Sequence, residues 1–325
     1  MSNPKITILM SVYNSEQFLR RAMESALAQT FRDFEFLIVN DGTTDSSIDI
    51  VREFDDKRIR IIKNERNLGL TASLNRGINE SKGEFIARFD TDDMMTPRRI
   101  EVQYNYMREN PECGVCASLA DIIDENDQVV RRTNFPARQK AIMWSLLFVN
   151  PITHSSAMVR TELLKKNPYD EYFKKSQDFE LWTRLIFKTE FAIIQERLVS
   201  QRRHSGTISA TAGSDQLQFA IEAARRYIRN LFGSDFVFDG FEIFRDERLW
   251  QFPQIYAARQ FIERAYKLFM KKFDPNSHEK AEINREYGVR LGALAMKNMA
   301  SPGAWPMILS ILMKRPQIIF DYLKY

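Results

Sequence analysis

The sequence predicts an α/β protein in which a mainly parallel central sheet is flanked by helices and followed by a helical C-terminal extension. Two observations carry this prediction. Over the first 120 residues, short β-branched runs alternate with amphipathic helical stretches, which is the pattern of βαβ units. From Ser214 onward, apolar residues recur at helical spacing, and Gly233 marks the end of the first of these helices.

The strands are predicted from runs rich in Ile, Val and Phe. They are Ile6–Val12, Phe34–Val39, Ile59–Ile62, Glu84–Phe89, Val115–Leu119 and Ala157–Arg160. Cys113 and Cys116 lie at the fifth strand, and no second cysteine pair or nearby histidine completes a zinc site. We therefore expect both cysteines to be small core residues.

Helix starts are predicted where a capping residue precedes an apolar face. Asn14 or Ser15 opens the first helix, and Asp45 caps the second. Pro97 takes the favoured first position of another helix. Farther along, helices are expected at Gln139–Phe148, Phe179–Phe187 and 277–299, with a polar loop at Asn150–Ser156.

Composition and charge narrow the class of protein. The 325 residues, 44% hydrophobic and 28% charged, are enough for one large or two modest globular domains. The net charge is +4, and residues 211–325 carry the whole excess, with 17 Lys and Arg against 13 Asp and Glu. This excess is too weak for a general nucleic-acid binder. The absence of an apolar signal segment before the first strand favours a cytoplasmic protein.

The most informative stretch is the apolar strand that ends at Phe89 and delivers Asp90, Asp92 and Asp93 to its C-terminal tip. Three carboxylates so close together repel one another, and beside a buried strand end they need a compensating charge. Hard oxygen ligands suit Mg²⁺ or Mn²⁺, which proteins commonly hold together with substrate phosphates. The alternative is that Asp92 caps the following helix and that the other two carboxylates are solvated.

A second polar cluster, Asn40-Asp41-Gly42-Thr43-Thr44-Asp45, follows the second strand. Gly42 permits close backbone approach, and Asp41 projects an acceptor that can receive the N3–H of a uracil ring. Ligands of open α/β sheets bind outside the carboxyl ends of the strands, where both clusters fall. The alternative is an ordinary Asx turn that leads into the helix capped by Asp45.

Taken in order, these motifs resemble the inverting family-two glycosyltransferases with the GT-A fold. The resemblance covers about residues 5–210. The matching segments are Ser11-Val12-Tyr13-Asn14, Asn40–Asp45, Asn67-Leu68-Gly69, Lys82–Phe85, Asp90–Asp93, Ser176–Trp182 and Arg202-Arg203-His204. Each motif is weak alone, whereas the ordered set is specific. Asn40 departs from the family pattern, which often has Asp at this position.

The resemblance implies a GT-A catalytic domain over residues 1–210, with a nucleotide-binding half at 1–110 and an acceptor-binding half at 111–210, before the helical region at 211–325. The donor-binding residues that it implies are Ser11, Tyr13, Asn14, Asp41, Asn67, Asp90 and Thr91. Among these, Asp41 contacts uracil and Asp90 faces the ribose and the sugar. The implied metal residues are Asp92, Asp93 and His204, with Mn²⁺ or Mg²⁺ as cofactor. A structural carboxylate at Asp93 and a solvated surface histidine at His204 are the alternatives.

The resemblance assigns the catalytic base to Asp178, which removes the proton of the acceptor hydroxyl as the bond to the diphosphate breaks. A helix N-terminus at this position keeps the carboxylate ionised. The alternative is a helix N-cap, which is compatible with that role. His154, Gln177 and Trp182 are implied on the acceptor side, although His154 is equally well explained as a structural, hydrogen-bonded histidine.

We therefore expect a metal-dependent inverting hexosyl- or N-acetylhexosaminyltransferase. Its expected donor is a UDP-sugar, and its expected acceptor is a hydroxyl of a growing surface glycan, such as lipopolysaccharide or capsule, free or lipid-linked. A sugar nucleotidyltransferase would need a Gly-rich phosphate loop near the N-terminus, which residues 6–14 lack. A non-catalytic nucleotide- or carbohydrate-binding scaffold is the other alternative. Dinucleotide and P-loop signatures are missing after every predicted strand.

The C-terminal tail, from Trp305 to Tyr325, combines many apolar and aromatic residues with Lys314, Arg315 and Lys324. This composition suits an interfacial element that docks peripherally at the inner face of the cell membrane, where lipid-linked glycans are built. The alternative is a helix packed against the catalytic domain or against a second subunit in a homodimer.

Overall fold

The computed structural model of the chain describes residues 3–204, 213–236, 241–244 and 252–296. Contacts divide the chain into two compact units, residues 1–137 with 152–216 and residues 138–151 with 217–325. The apolar tail from Trp305 to Tyr325 lies outside the described residues. Among the helices that are described, none has the length and hydrophobicity needed to cross a bilayer.

Within the described residues, the first unit is built on a nine-stranded mixed sheet. Its strands are β1 (Ile6–Val12), β2 (Phe34–Asn40), β3 (Ile59–Lys63), β4 (Phe85–Arg88), β5 (Met94–Met95), β6 (Cys113–Ile123), β7 (Val129–Arg132), β8 (Met158–Arg160) and β9 (Glu190–Arg202). The strand order is β3-β2-β1-β4-β8-β6-β9-β5, and β7 pairs with β6. Strands β1 to β4 are parallel, and β8 runs antiparallel between β4 and β6. The predicted parallel half is therefore confirmed.

Helices connect the parallel strands, as the alternating pattern requires. The helices of this part of the chain are α1 (Glu16–Leu27), α2 (Ser47–Arg52), α3 (Leu70–Glu80), α4 (Arg99–Glu109), α5 (Gln139–Leu146), α6 (Thr161–Lys166) and α7 (Gln177–Leu185). The prediction for Pro97 is wrong by two residues, because α4 begins at Arg99 and its N-cap is Arg98. Pro97 lies in the turn that precedes the helix.

The long strand β9 has no counterpart among the predicted strands. Its two ends are mostly buried, but its middle, from Gln195 to Arg197, is largely exposed and polar. Its pairing with β6 also shifts register between Ser118 and Leu119. A bulge of this kind interrupts the alternation of apolar and polar residues from which strands are recognised in a sequence.

The core of the first unit is formed by the inward faces of the parallel strands and of the helices that cover them. Ile6, Ile8 and Met10 of β1 are fully buried within this core. Cys113 and Cys116 belong to the same cluster and are free thiols. Burial raises the pKa of Cys113 to about 12 and that of Cys116 well above its ordinary value. Both are core residues, as the sequence predicts.

The second unit contains α5 together with helices α8 (Gly213–Phe232, from Leu217 onward), α9 (Phe252–Phe273) and α10 (Ser277–Met296). Trp144 of α5 is fully buried. Its ring lies 5.2 to 6.4 Å from the rings of Phe148, Tyr266, Phe269 and Tyr287. An aromatic cluster thus joins α5, which comes early in the sequence, to the C-terminal helices.

Candidate active site

The carboxyl ends of β1, β2 and β4 meet at one edge of the sheet, because these strands are parallel neighbours. The loops that follow them, with the end of β9, line a pocket of about 480 Å³. Its lining includes every residue that the sequence assigns to the donor or the metal: Ser11, Tyr13, Asn14, Asp41, Asn67, Asp90, Thr91, Asp92, Asp93 and His204. Folding therefore brings these separate segments to one cavity.

The acidic residues after β4 form a compact cluster at the wall of this pocket. Carboxylate oxygens of Asp90, Asp92 and Asp93 all lie within 4.8 Å of one another. Burial, followed by the charge of Asp92, raises the pKa of Asp93 to about 7. A divalent cation would remove this mutual repulsion, and three closely placed carboxylates are the hard oxygen ligands that Mg²⁺ and Mn²⁺ prefer. The donor set therefore fits a divalent metal.

The end of β9 closes over the acidic cluster through Arg202. Its backbone N–H donates to Asp93 Oδ1 over 2.8 Å, and its Nε donates to the carbonyl oxygen of Asp92 over 2.9 Å. The buried guanidinium also lies 4.5 Å from the ring centroid of Phe18 and donates to the carbonyl of Asp124. Arg202 thus fixes the backbone on which the predicted metal residues are carried, a function that the sequence does not reveal.

His204 lies against the same cluster. Its Nε2 is 3.2 Å from Asp92 Oδ2, and its ring centroid is 4.9 Å from that of Phe18. Only 15% of its side chain is exposed. The alternative of a freely solvated surface histidine is therefore wrong, whereas the metal-binding role of His204 stays a prediction.

Asp41 is almost fully buried in the pocket wall and accepts three hydrogen bonds. Its Oδ1 receives Asn64 Nδ2 over 2.7 Å and the N–H of Leu68 over 2.8 Å, and its Oδ2 receives the N–H of Gly69 over 3.0 Å. Asp41 therefore holds the loop that carries Asn67. Each carboxylate oxygen has two lone pairs, so that Oδ2 retains one acceptor position.

The turn after β2 is organised by Asn40, the residue that departs from the family pattern. Its side-chain oxygen accepts the N–H groups of Gly42 and Thr43 over 3.1 and 3.0 Å. This is the Asx turn that the sequence offers as an alternative. The Asx turn and the pocket coexist, since the turn by Asn40 aims the neighbouring Asp41 at the cavity.

Gly42 occupies a position that only glycine fits. Its φ is +73°, and a Cβ built there would lie 2.7 Å from backbone atoms of Arg66 and Asn67. We expect Gly42→Ala to lower the free energy of unfolding by about 2–4 kcal/mol, because strain and a backbone clash act together. Urea denaturation measures this loss. Gly233→Ala is the matched control, since Gly233 has a φ of +92° with no atom within 4 Å of its Cβ position. Equal losses in both variants would contradict the clash.

Asp45 joins the N-termini of α1 and α2. Its carboxylate accepts the N–H of Glu16 over 3.1 Å and the N–H of Ser47 over 3.0 Å. Although burial by itself would raise the pKa of Asp45, hydrogen bonds from Ser47, Glu16 and Thr43 lower it below its ordinary value. The residue at the N-cap of α2 is Ser46, so the prediction that Asp45 caps this helix is wrong by one residue. The Asp45 carboxylate nevertheless accepts N–H groups from the first residue of each helix.

This lowered pKa predicts an acid-dependent loss of stability. A carboxyl whose pKa is depressed by folding stabilises the native state above its unfolded pKa of about 4 and loses this effect as the pH falls through its folded pKa. In Asp45→Asn the free energy of unfolding should therefore depend less on pH below about 4 than in the wild type. Urea denaturation at several pH values measures this. Asp49→Asn, on an exposed carboxylate of the same helix, is the control and should keep the wild-type slope.

Asp178 is the second residue of α7 and is half-buried. The residue at the N-cap is Ser176, with a φ of +56°, so the interpretation of Asp178 as an N-cap is wrong. The carboxylate lies in the first turn, where the helix dipole favours its ionised form. Its charge acts on Arg88 and Tyr169 in the interior beside the pocket.

The three residues expected on the acceptor side are buried and do not line the pocket. Gln177 is 7% exposed, and Trp182 is completely buried. His154 Nε2 lies 2.7 Å from the hydroxyl of Tyr169, and burial, followed by the charge of Arg88, lowers the pKa of His154 well below its ordinary value. This geometry favours the structural alternative for His154, and the acceptor-side role of all three stays a prediction.

Comparison with known proteins agrees with this architecture. Residues 7–167 match the family model described as glycosyl transferase family 2. The uncharacterized glycosyltransferase MJ1057 of Methanocaldococcus jannaschii is 37% identical over 208 residues, which cover 62% of this chain and 72% of that protein. An uncharacterized glycosyltransferase of Haemophilus influenzae is 28% identical over 247 residues, covering 71% and 76% of the two chains.

Two solved structures resemble the fold. TarS residues 1–349 from S. aureus, in complex with UDP-GlcNAc, gives a TM-score of 0.59 at 18% identity and covers 98% of this chain and 89% of that one. The mannosyltransferase PcManGT from Pyrobaculum calidifontis, in complex with GDP-Man and Mn²⁺, gives 0.53 at 14% identity and covers 99% and 88%. These neighbours confirm the fold class predicted from the sequence.

Proposed function

Because the chain belongs to glycosyl transferase family 2, we propose that it transfers a sugar from a UDP-linked donor to a hydroxyl of a growing surface glycan, with inversion. Sugar transfer itself follows from the family, whereas the donor, the metal and the acceptor are proposals. The observation that carries them is the meeting of Asp41 and the acidic cluster in one pocket. The solved neighbours bind UDP-GlcNAc or GDP-Man, which supports a nucleotide-sugar donor.

Asp41 is proposed to select the nucleobase. Three protein donors already occupy acceptor positions on its two oxygens, and the remaining position on Oδ2 suits a single further N–H. The N3–H of uracil supplies one such donor. Tyr13, which lines the pocket and is 46% exposed, offers an aromatic face beside this position for a stacked base.

The diphosphate end of the donor is proposed to lie at the acidic cluster. Asp92, Asp93 and His204 would hold Mn²⁺ or Mg²⁺ there, and the bound cation would neutralise the charge of the leaving diphosphate. Asp90 would accept hydrogen bonds from the ribose and sugar hydroxyls. Asp178 would take the proton from the acceptor hydroxyl, and it lies in the first turn of α7, where the helix dipole favours a carboxylate.

A donor panel tests this proposal. UDP, UDP-GlcNAc, UDP-glucose, GDP and GDP-mannose are each added with Mn²⁺, and the melting temperature of the protein is recorded. We expect the uridine nucleotides to stabilise the fold by about 2–3 kcal/mol at a concentration of 100 times their Kd, and only in the presence of metal. Stabilisation by GDP alone would overturn the assignment of Asp41 to uracil.

Product analysis separates this function from the two alternatives. A glycosyltransferase releases UDP from a UDP-sugar, as direct transfer or as slow hydrolysis to water. A sugar nucleotidyltransferase would instead release pyrophosphate from UTP and a sugar phosphate. A binding scaffold would show the thermal shift without either product. Release of UDP alone supports the proposal, and either of the other results contradicts it.

A further inference from the structure

A buried arginine stands directly behind the acidic cluster, at the last residue of β4. Arg88 is only 4% exposed, and the other residues of its strand are apolar. A buried cation is costly unless it is paired and hydrogen-bonded. Arg88 forms an ion pair with Asp90 and donates to Ser155 Oγ over 3.2 Å. Of these two partners, Asp90 lines the pocket and Ser155 is fully buried.

Ser155 completes a triangle with this pair. Its hydroxyl donates to Asp90 Oδ2 over 2.7 Å while its oxygen accepts from Arg88. The hydroxyl is also near enough to lower the pKa of Asp93, which burial raises overall. Arg88 and Ser155 thus contact the Asp90 carboxylate from the protein side, while 30% of the Asp90 side chain stays exposed.

The turn that carries Ser155 is itself rigid. Residues His154–Ser156 form a 3₁₀ helix in which Ser156 N and Oγ both donate to the carbonyl of Thr153, over 2.9 and 2.8 Å. The adjacent His154 is held by the hydroxyl of Tyr169 at 2.7 Å. These contacts explain why the histidine is buried: it fixes the turn that aims Ser155 at Asp90.

Arg88 also interacts electrostatically with carboxylates of the acidic cluster and with the carboxylate of the proposed base. Burial lowers its pKa, and the groups whose charges oppose this are Tyr169, Asp93, Asp178 and Asp92. Arg88 is therefore close enough to interact electrostatically with both the acidic cluster and the proposed base. Arg99 holds the backbone of Arg88, since the Arg99 guanidinium donates to the carbonyl of Arg88 over 3.0 Å.

We propose that Arg88 and Ser155 are positioning residues for sugar transfer, which hold the Asp90 carboxylate in one orientation toward the ribose and sugar of the donor. This role rests on the proposed function, in which Asp90 contacts those hydroxyls. A hydrogen bond to a charged group keeps the carboxylate from rotating, so that its open lone pairs are already aimed at the donor before it binds.

The test is the affinity for UDP at saturating Mn²⁺, measured by calorimetry. Ser155→Ala should weaken binding about tenfold, as expected for one lost hydrogen bond to a carboxylate. Arg88→Met should weaken it by about 30-fold or more, and Arg88→Lys should restore part of the loss. Ser118→Ala is the matched control, because Ser118 is a buried serine outside this turn whose hydroxyl donates to the backbone carbonyl of Leu119. It should keep the wild-type Kd within about twofold.

A double-mutant cycle shows whether Ser155 acts through Asp90. In the Asp90→Asn background, Ser155→Ala should have little further effect on the Kd, since the carboxylate that it orients is gone. Melting temperatures of all variants separate loss of folding from loss of affinity. An unchanged Kd in Ser155→Ala, or a full tenfold effect that persists beside Asp90→Asn, would overturn the positioning role. Failure of the wild-type protein to bind UDP would overturn the proposed function, and the positioning role with it.

Discussion

Asp178→Asn is expected to lower kcat for sugar transfer by about 10³- to 10⁴-fold while the Kd for UDP with Mn²⁺ changes less than about threefold. The substitution keeps the size of the side chain but replaces the basic carboxylate by an amide that is too weakly basic to accept the hydroxyl proton, and general bases contribute up to about 10⁴-fold. The residue does not line the donor pocket, so donor affinity should be spared. Release of UDP is followed with the donor and acceptor identified by the panel.

Glu180→Gln is the matched control for this experiment. Glu180 is a carboxylate of the same helix, two residues farther on, and it pairs with Arg184 over 2.9 Å. Its side chain is 7% exposed, so that the isosteric amide should cost stability through the lost ion pair but leave kcat near the wild-type value. If Asp178→Asn retains turnover while it remains folded, Asp178 is not the base.

Asp92→Ala is expected to abolish the metal dependence of donor binding. In the wild type, Mn²⁺ should tighten UDP binding, and EDTA should reverse this effect. Removing the carboxylate that lies in the cluster and contacts His204 deletes one proposed ligand, for which we expect a loss of at least about 100-fold in Mn²⁺-supported affinity. Calorimetry with UDP, with and without Mn²⁺, gives both constants.

The control for Asp92→Ala is Asp121→Ala. The two carboxylates have similar exposure, 28% and 26% of the side chain, but Asp121 pairs with Arg132 and Arg197 and does not line the pocket. Asp121→Ala should therefore keep the wild-type dependence on Mn²⁺. UDP binding that is equal with and without Mn²⁺ in the wild-type protein would remove the metal assignment altogether.

The sequence-based predictions succeeded where neighbouring residues carry the information. The first four strands begin and end within one residue or two of their predicted limits, since apolar runs bounded by turn residues are local signals. Cys113 and Cys116 were placed in the core for the same reason. The prediction failed at β9, where a bulge and an exposed polar middle disturb the alternation. It also missed the start of α7, which begins at Gln177 and not at Phe179, so that Asp178 lies inside the helix.

The sequence-based predictions did not include the side-chain hydrogen bonds behind the pocket. The sequence does indicate that Arg88 is unusual, because it is a cation within the apolar run from Phe85 to Phe89, directly before the acidic residues. Its partner Ser155 carries no such signal, since serines are common in loops. The sequence shows Arg202 only as part of a motif, whereas in the structure its buried guanidinium holds the backbone of the loop that carries the acidic cluster.

By itself the sequence determined the alternation of strands and helices, the family and ten of the residues that line the pocket, because periodicity and ordered motifs are properties of the chain. Only the tertiary structure decided which groups orient them. Ser155 meets Asp90 across 65 residues, and Arg202 meets Asp92 across 110. The physical reason is that a side-chain hydrogen bond depends on direction as well as distance, and direction is fixed only when the strands pack.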